Sequence, residues 1–588
     1  MNSSCGFGRA ACAAGLALTL CVGPLVGCAS STTDGAQTTD DAIAAVEATA
    51  ETTVEQSSSK VCVVNVEDLV SDRDLDGTYD ESEATKVTLA DAGCKVDGSG
   101  ATAEGATVTI TQAGTYVISG SLSDGQIVVD ADGEKVQLVF VGASVSSSSS
   151  AALYVKSAKK VWVTLAEGSE NSLATTGDYV QVDDNNVDGA VFSKEDLTIN
   201  GTGSLSVTSA SAHGIVCKDA LVLASGTVDV TAASHAIQAK DSVAVVAGTW
   251  TLSAGKDGIH CENDDDATLG SICVAGGTVD ITASSDGLDA ARYLEVDGGT
   301  INVCADDDGL HAEYDLVVNG GTIAVSKSNE GLEGSTVTVT GGEIDVTSSD
   351  DGINAAGEPN AEQATEQAAE PGVQAGAPGG VSDPGGMDEA DDTAKITITG
   401  GVISIQAAGD GIDSNGDLLV SGGETYVSGP TSDGDGSLDY AGEASITGGI
   451  VMCAGASGMA QNFGDASTQG SLLVSATGSA GDVVSLADAN GSVLASFTAR
   501  TSYSCVLVSA PSIKDGETYT LTCGSTTSEI TMDGLVYSNV AGGFGGGNAG
   551  PGGPGNGDAG GNGDAGGNGA PGGQGGGNAI PTGPAPSN

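Results

Sequence analysis

Carboxylate side chains recur at a nearly fixed interval through the middle of this 588-residue sequence. From Asp257 onward, the acid of an Asp-Gly or Glu-Gly pair returns after 29, 22, 22, 21 and 59 residues. If the repeating units stack, these acids form a first column of Asp257, Asp286, Asp308, Glu330, Asp351 and Asp410. The residues three positions later form a second column of His260, Asp289, His311, Glu333, Asn354 and Asp413.

Two roles are open for these columns. Carboxylates stacked about 4.8 Å apart repel by roughly 3.5 kcal/mol at an effective dielectric constant of about 20, and by about 1 kcal/mol in water. Calcium would remove this repulsion, because it binds about six to eight oxygen ligands. Alternatively, Asp-Gly is simply favourable turn chemistry, which accounts for the first column but not for the second. The second column therefore favours calcium as a cofactor.

The segments between the acids predict the elements that hold them. Runs such as "GTVDITA", "GTINVCA" and "GTIAVSK" alternate apolar and polar residues, which is typical of strands with one buried face. Units of about 22 residues with two or three short strands indicate coils of a parallel β-helix. We predict an all-β, right-handed, single-stranded parallel β-helix, since parallel crossovers are right-handed. The glycine of each acidic pair is expected to supply a left-handed turn conformation.

This register also predicts one column of the core. The apolar residue after each acidic pair should point inward and stack on its equivalents in neighbouring coils. That column consists of Ile259, Leu288, Leu310, Leu332, Ile353 and Ile412.

Composition shifts divide the chain into segments. Residues 61–465 are predicted to form the β-helix, interrupted by an insert at 357–392 whose Pro, Gly, Ala and acid content predicts disorder. Residues 466–540 lose the repeat and are predicted to form a small β-domain that covers the open end of the helix. Residues 541–588 are rich in Gly, Asn and Pro, and a disordered tail is predicted there.

The first residues have the pattern of a targeting segment. A short region with Arg9 precedes an apolar run, and "LVGC" at its end matches the bacterial lipobox. We therefore expect residues 1–28 to be a lipoprotein signal peptide, with Cys28 carrying the lipid, and residues 29–60 to be a flexible spacer. The protein is then exported and held on the outer side of the cell membrane by that lipid alone. A net charge of −61 excludes nucleic acid as a partner.

Two local patterns carry predictions of their own. The segment that begins with Asp72, Asp74 and Asp76 has the acid spacing of an EF-hand loop, although no flanking helices are evident, so a calcium site and a solvated loop both remain open. Near the C-terminus, Cys505 and Cys523 flank two strand-like runs around a turn. They are the candidate disulfide pair.

Several blocks carry a resemblance to a known family. "GTYVISGSLSDGQIVVDA", "YVKSAKKVWVTLAEG" and above all "DGAVFSKEDLTINGTGSLSV" resemble the bacterial carbohydrate-binding β-helix lipoproteins, from about Val61 to Tyr537. The resemblance implies a calcium-containing, right-handed β-helix similar to that of pectate lyases. It also implies binding of plant-type polysaccharides, of the polygalacturonate or cellulose type. The insert at 357–392 departs from the compact family pattern.

Three functions follow from these observations. The first is a calcium-stabilised, surface-anchored polysaccharide-binding protein, for which a long, regular β-helix side suits an extended polymer. The second is a calcium-dependent polysaccharide lyase, for which Arg292 or Lys327 would be the base; no constellation of catalytic residues stands out. The third is a passive adhesin or spacer stalk.

Overall fold

The computed structural model describes residues 60–181, 183–357 and 390–540. The predicted signal peptide with Cys28, nearly all of the spacer, most of the insert and the Gly-rich tail lie outside the described residues. The fold is nearly all β, with 52% strand and 2% helix. Among the described residues, no helix is long and apolar enough to cross a membrane.

Three ladders of parallel strands form a β-helix. Along the chain, each coil contributes one strand segment to the third ladder, then one to the first and then one to the second. The first ladder contains Thr85–Leu89, Gly114–Leu122, Lys135–Ser147, Lys160–Leu165, Leu197–Gly201, Ala220–Leu223, Ser242–Val245, Ser271–Val274, Tyr293–Val296, Leu310–Val318, Leu332–Val339, Lys395–Ile398, Asp417–Val420 and Ala444–Ile446. The second contains Gly114–Leu122, Lys135–Ser147, Glu170–Thr175, Ser204–Ser209, Thr227–Ala232, Thr249–Ala254, Thr278–Ala283, Thr300–Cys304, Thr322–Lys327, Glu343–Thr347, Val402–Gln406, Glu424–Ser428 and Ile450–Gly455. The third contains Thr107–Ile110, Gln126–Asp130, Leu153–Ser157, Gly189–Ser193, His213–Cys217, Ile237–Ala239, Ile259–Cys261, Leu288–Ala290, Leu310–Val318, Leu332–Val339, Ile353–Ala355, Ile412–Ser414 and Asp439–Tyr440.

Antiparallel strands close both ends of the β-helix. At the N-terminal end, Lys95–Asp97 pairs with the first strand of the first ladder, and Ala101–Glu104 pairs with the first strand of the third. At the C-terminal end, Tyr503–Ser509 pairs antiparallel with the last strand of the second ladder and with Ser471–Gly478, which also pairs with Val536–Ser538. A separate four-stranded antiparallel sheet consists of Val483–Ala487, Val493–Thr498, Thr518–Cys523 and Thr526–Thr531.

The predicted core column is confirmed. Strand pairing places Ile259, Leu288, Leu310, Leu332, Ile353 and Ile412 opposite one another in successive coils of the third ladder, and all six are buried. Equivalent apolar side chains of successive coils therefore pack on one another along the axis. Burial of such side chains is worth about 1.5–3 kcal/mol each, and it keeps the register of the polar positions on either side.

The glycines of the acidic corners have a different role from the predicted one. Gly287 and Gly309 do not have the left-handed conformation, which occurs instead at the Gly-Gly turns, for example at Gly299 with a φ of +85°. A Cβ atom added at Gly309 would overlap the carbonyl oxygen of Gly331 in the next coil. Glycine is required at these corners because neighbouring coils approach too closely for a side chain.

The N-terminal segment lies along the outer side of the first ladder. The backbone amides of Val63 and Val64 donate to the buried Glu295 carboxylate at 2.8 and 2.7 Å, and the Lys60 ammonium lies 2.7 Å from Asp297. Two short helices, Val66–Leu69 and Asp72–Leu75, follow before the first strand. The chain therefore reaches the β-helix on the face of the first ladder.

Replacing Gly309 by Ala should lower the free energy of unfolding by about 1–3 kcal/mol, because the new methyl group must push two coils apart. Gly434→Ala is the matched control, since its Cβ would meet only the Ser432 hydroxyl at 3.4 Å in an exposed loop. Thermal unfolding followed by circular dichroism measures both. Equal melting temperatures for the two variants would contradict the close approach of the coils.

Candidate cation-binding face of the third ladder

The first column of acids combines turn chemistry with free carboxylate oxygens. One oxygen of Asp286 accepts the backbone N–H of Asp308 at 2.8 Å, and one of Asp308 accepts the N–H of Glu330 at 3.0 Å. Asp257 and Asp351 accept the N–H of the next corner residue in the same way. Each of these carboxylates thus ties one coil to the next through one oxygen. The turn interpretation explains that oxygen of each carboxylate. It does not explain the second oxygen, which in Asp257 lies 2.7 Å from His235 Nδ1.

The second column lies in the third-ladder strands themselves. Strand pairing places Gln238, His260, Asp289, His311, Glu333, Asn354, Asp413 and Asp439 in one register. Gln238 and Asp439 extend the predicted column by one coil at each end. We call this column together with the acidic corners the cation face.

Histidines neutralise one part of the cation face. The Asp289 carboxylate lies between two imidazoles, with one oxygen 2.6 Å from His260 Nδ1 and the other 2.9 Å from His311 Nδ1. Although burial opposes it, these two hydrogen bonds hold the pKa of Asp289 below its ordinary value. Burial likewise opposes a charged His311, but the bond to Asp289 raises the pKa of this imidazole to about 9. Asp289 is therefore engaged by two imidazoles, and one of its oxygens also lies within 4.8 Å of ligand oxygens of Asp257 and Asp286.

The acids around and beyond His311 are crowded together, and His311 Nε2 lies 3.8 Å from one Glu333 oxygen. Ligand oxygens of Asp308, Glu330 and Glu333 lie within 4.8 Å of one another, and so do those of Asp351, Asp410 and Asp413. Burial and repulsion from Glu330 raise the pKa of Glu333 to about 8. Burial and repulsion from Asp351 raise the pKa of Asp413 to about 8 as well. These sites hold either protons or a cation at neutral pH.

In the same column, the buried amide oxygen of Asn354 receives no hydrogen bond. Asn354 is 9% exposed, and its Nδ2 donates to Glu330 at 2.8 Å, whereas its Oδ1 has no hydrogen-bond partner. An unpaired buried acceptor costs about 1–3 kcal/mol. Asn354 lies between Glu333 and Asp413 in the strand register. Carboxylate and amide oxygens are the ligands that calcium prefers, and this donor set fits that ion.

In the segment with EF-hand spacing, Asp74 is engaged by protein partners, so the solvated-loop alternative does not hold for this residue. Asp74 is buried and accepts hydrogen bonds from Trp162 at 2.9 Å and Thr198 at 2.6 Å, and its oxygen lies 2.8 Å from the Lys160 ammonium. Asp72 is the first residue of a short helix, and Asp76 accepts the N–H of Thr78. Asp74 therefore fastens the N-terminal segment to the first ladder.

The predicted disulfide between Cys505 and Cys523 is wrong. Both are buried free thiols. Cys505 belongs to the strand that pairs with the end of the β-helix and packs in its long core, whereas Cys523 belongs to the four-stranded sheet and packs in a second core. Their separation into two cores could not be inferred from the turn between them.

The two residues considered as a lyase base have other partners. Arg292 is buried, with its guanidinium carbon 5.0 Å from the centre of the Tyr314 ring and one nitrogen bonded to the Asp264 carbonyl. Lys327 is paired with Asp306. A buried guanidinium is a poor proton acceptor, since arginine stays protonated in proteins.

The contribution of His311 to stability should depend on pH. Its pKa is raised above the ordinary value of about 6.5, with Asp289, Glu333 and Asp286 as the charges that raise it. The stabilisation is therefore complete below about pH 6.5 and is lost as the pH rises through about 9. At the lower pH, the free energy of unfolding of the wild type should exceed that of His311→Gln by about 1.5–3 kcal/mol.

Denaturant unfolding in chelator, from pH 6 to 10, measures this difference. Lys86→Gln is the control, because Lys86 belongs to an exposed pair with Glu81, and its effect should stay small. A difference between wild type and His311→Gln that does not change with pH would contradict a charged imidazole.

A family model and one relative share the description of carbohydrate-binding domain-containing proteins. The sequence model of the carbohydrate-binding domain-containing protein family matches residues 104–355 and 292–436, which together exceed half of the chain. A carbohydrate-binding domain-containing protein of Acetivibrio thermocellus is 38% identical over 128 residues, covering 21% of this chain and 45% of the relative. The chain thus spans less than half of that relative's length. The solved structure of the polysaccharide lyase-like protein from C. thermocellum, a gadolinium derivative, is similar at 31% identity and a TM-score of 0.37, covering 38% of this chain and 91% of that one.

Proposed function

Since the chain belongs to the family of carbohydrate-binding domain-containing proteins, we propose that it binds an acidic polysaccharide through calcium ions on the cation face. The observation that carries this proposal is the stack of crowded carboxylates in register along the third ladder. Their spacing repeats with the coils at about 4.8 Å. An extended polymer laid along the axis would meet the same ligand set repeatedly.

Two carboxylate clusters are the best candidates to hold calcium. The first is Asp308, Glu330 and Glu333, and the second is Asp351, Asp410 and Asp413. Asn354 lies between them in the register and offers an unpaired oxygen. Calcium needs about six to eight oxygens, so each cluster leaves positions that carboxylates of a uronate polymer can fill.

Stacking of sugar rings on tryptophan is not available as the main mode of recognition. The chain has two tryptophans, and Trp162 is 4% exposed and Trp250 is 0% exposed. Trp162 donates to Asp74, and Trp250 donates to the Ala247 carbonyl. Both rings belong to the interior. Ionic recognition through a bridging cation is therefore favoured over stacking on neutral sugars.

Removing charge from the two clusters should abolish calcium-dependent binding of polygalacturonate. Glu333→Gln combined with Asp413→Asn should weaken sedimentation with insoluble polygalacturonate at 1 mM calcium at least tenfold, on the order of 1.4 kcal/mol. Calcium at about a hundred times its Kd should also stabilise the wild type by about 2.7 kcal/mol per site, seen as a higher melting temperature than in chelator.

Glu343→Gln combined with Asp229→Asn is the matched control, because it removes the same charge from exposed positions of the second ladder. This control should bind like the wild type. If the melting temperature of the wild type does not depend on calcium and the wild type does not sediment with the polymer, the binding proposal is wrong and the stalk function is favoured. Sustained formation of unsaturated uronate product in the same samples, seen by ultraviolet absorbance, would instead establish a lyase.

We further propose that the protein is anchored at the outer surface by a lipid on Cys28. The sequence "LVGC" supports this proposal. The position of Lys60 on the first ladder also supports it, because Lys60 is paired with Glu295 and Asp297 there. A tether that arrives on the first ladder leaves the cation face of the third ladder free for a polymer.

Cys28→Ser should release the protein from the membrane fraction of a bacterial expression host that processes lipoproteins. Labelling with a clickable palmitate analogue should mark the wild type and not this variant. Cys62→Ser is the control, because Cys62 is an exposed free thiol outside the lipobox. Unchanged labelling of Cys28→Ser would overturn the anchor.

A further inference from the structure

All four histidines of the chain lie in or beside third-ladder strands, and they give the N-terminal part of this ladder a different chemistry from the rest. We propose that His235, Asp257 and His260 form a binding site for a divalent transition-metal ion of the zinc class. Ligand atoms of the three residues lie within 4.8 Å of one another. This proposal is independent of the polysaccharide proposal.

The geometry is close to that of a three-ligand metal site. One Asp257 oxygen lies 2.7 Å from His235 Nδ1 and 3.5 Å from His260 Nδ1. Zinc binds nitrogen and oxygen at about 2.0–2.2 Å, which places tetrahedral ligands about 3.3 Å apart. The separation of 3.5 Å is near the required value, the one of 2.7 Å must lengthen by about 0.6 Å, and the third ligand pair is within 4.8 Å.

The surrounding fold holds the ligands in place. His235 is 8% exposed, and Asp257 is buried. The rings of His235 and His260 stack with their centres 4.7 Å apart and their planes at 15°. Asp289 contacts His260 Nδ1 at 2.6 Å, so a metal binds this nitrogen only if it displaces Asp289, or it binds Nε2 while Asp289 orients the ring from Nδ1.

Two buried polar atoms in neighbouring coils lack protein partners. Gln238, next to His260 in the strand register, is 7% exposed, and its Oε1 has no hydrogen-bond partner. Its Nε2 donates to Glu262. The Nδ1 atom of His213, whose ring stacks on His235 with centres 5.0 Å apart, is also buried and unpaired. Two unpaired polar atoms beside one His-Asp-His set are costly unless a ligand engages them.

The ligand set selects the class of metal. Calcium and magnesium take oxygen ligands, whereas imidazole suits zinc, copper, nickel and cobalt. Two imidazoles and one carboxylate with an open fourth position resemble catalytic zinc sites in composition. The carboxylate clusters further along the ladder contain no imidazole. One face of the β-helix can therefore separate two kinds of cation by position.

Cobalt(II) is the probe for this site, because its visible absorption reports ligation by imidazole nitrogen. The full chain, stripped with chelator and dialysed, should bind one equivalent of cobalt at pH 7.5, and zinc should displace it. His235→Ala and Asp257→Asn should each weaken cobalt binding at least tenfold. Glu343→Gln is the control, because Glu343 is an exposed carboxylate of the second ladder outside the cluster, and it should bind cobalt like the wild type.

Two further measurements separate this proposal from the calcium proposal. Glu333→Gln combined with Asp413→Asn should leave cobalt binding unchanged, and His235→Ala should leave calcium-dependent retention on polygalacturonate unchanged. Circular dichroism of each variant confirms folding. Absence of a cobalt spectrum in the wild type, equal affinity in His235→Ala, or displacement of cobalt by 1 mM calcium would show that these residues form ion pairs only, and would overturn the proposal.

Discussion

Parallel pairing without offset between coils is the constraint on which the rest of this structure depends. Each third-ladder residue lies opposite its equivalent in the next coil, as Leu288, Leu310 and Leu332 do. For apolar residues this pairing is favourable, because identical side chains pack in a continuous column. For charged residues it is unfavourable where carboxylates follow one another from coil to coil, as Asp286, Asp308 and Glu330 do at the corners. The same register that builds the core therefore concentrates negative charge on one face.

The protein answers this charge in different ways along the axis. Backbone amides of the next corner neutralise part of the first column, as Asp308 N–H does for Asp286. Imidazoles enclose Asp289 in the middle of the ladder. Beyond His311 neither device is sufficient, and burial with mutual repulsion raises the pKa of Glu330 to about 7 and that of Asp410 to about 7. Carboxylate repulsion is thus incompletely relieved both at the C-terminal part of the cation face and at Asp286, whose pKa burial raises to about 7.

The periodic parts of this structure could be predicted, and the contacts between distant segments could not. Period-two alternation fixed the inward position of Leu310, and the repeat length fixed its partners in both neighbouring coils. The role of Gly309 was missed because a turn motif reports local backbone preference and not the distance to the next coil. Asp74 was misread for a similar reason, since its partners Trp162 and Thr198 are 88 and 124 residues away. The approach of His235 to Asp257 required only the register, but single histidines 22 residues apart carry no local motif.

Protons and metal ions compete for the same oxygens on this face. A carboxylate whose pKa lies near 8, such as Glu333 or Asp413, is largely protonated at neutral pH in the absence of a cation. A bound ion must displace those protons, so metal affinity and proton affinity are linked. At the histidine end the carboxylates already have positively polarised partners, and Asp257 has its pKa lowered in spite of burial because His235 donates to it. A cation there competes with an imidazole proton and not with a carboxyl proton. The single register thus yields two environments, one of crowded carboxylates and one of carboxylates paired with imidazoles, and the difference follows from which side chain occupies one position in each coil.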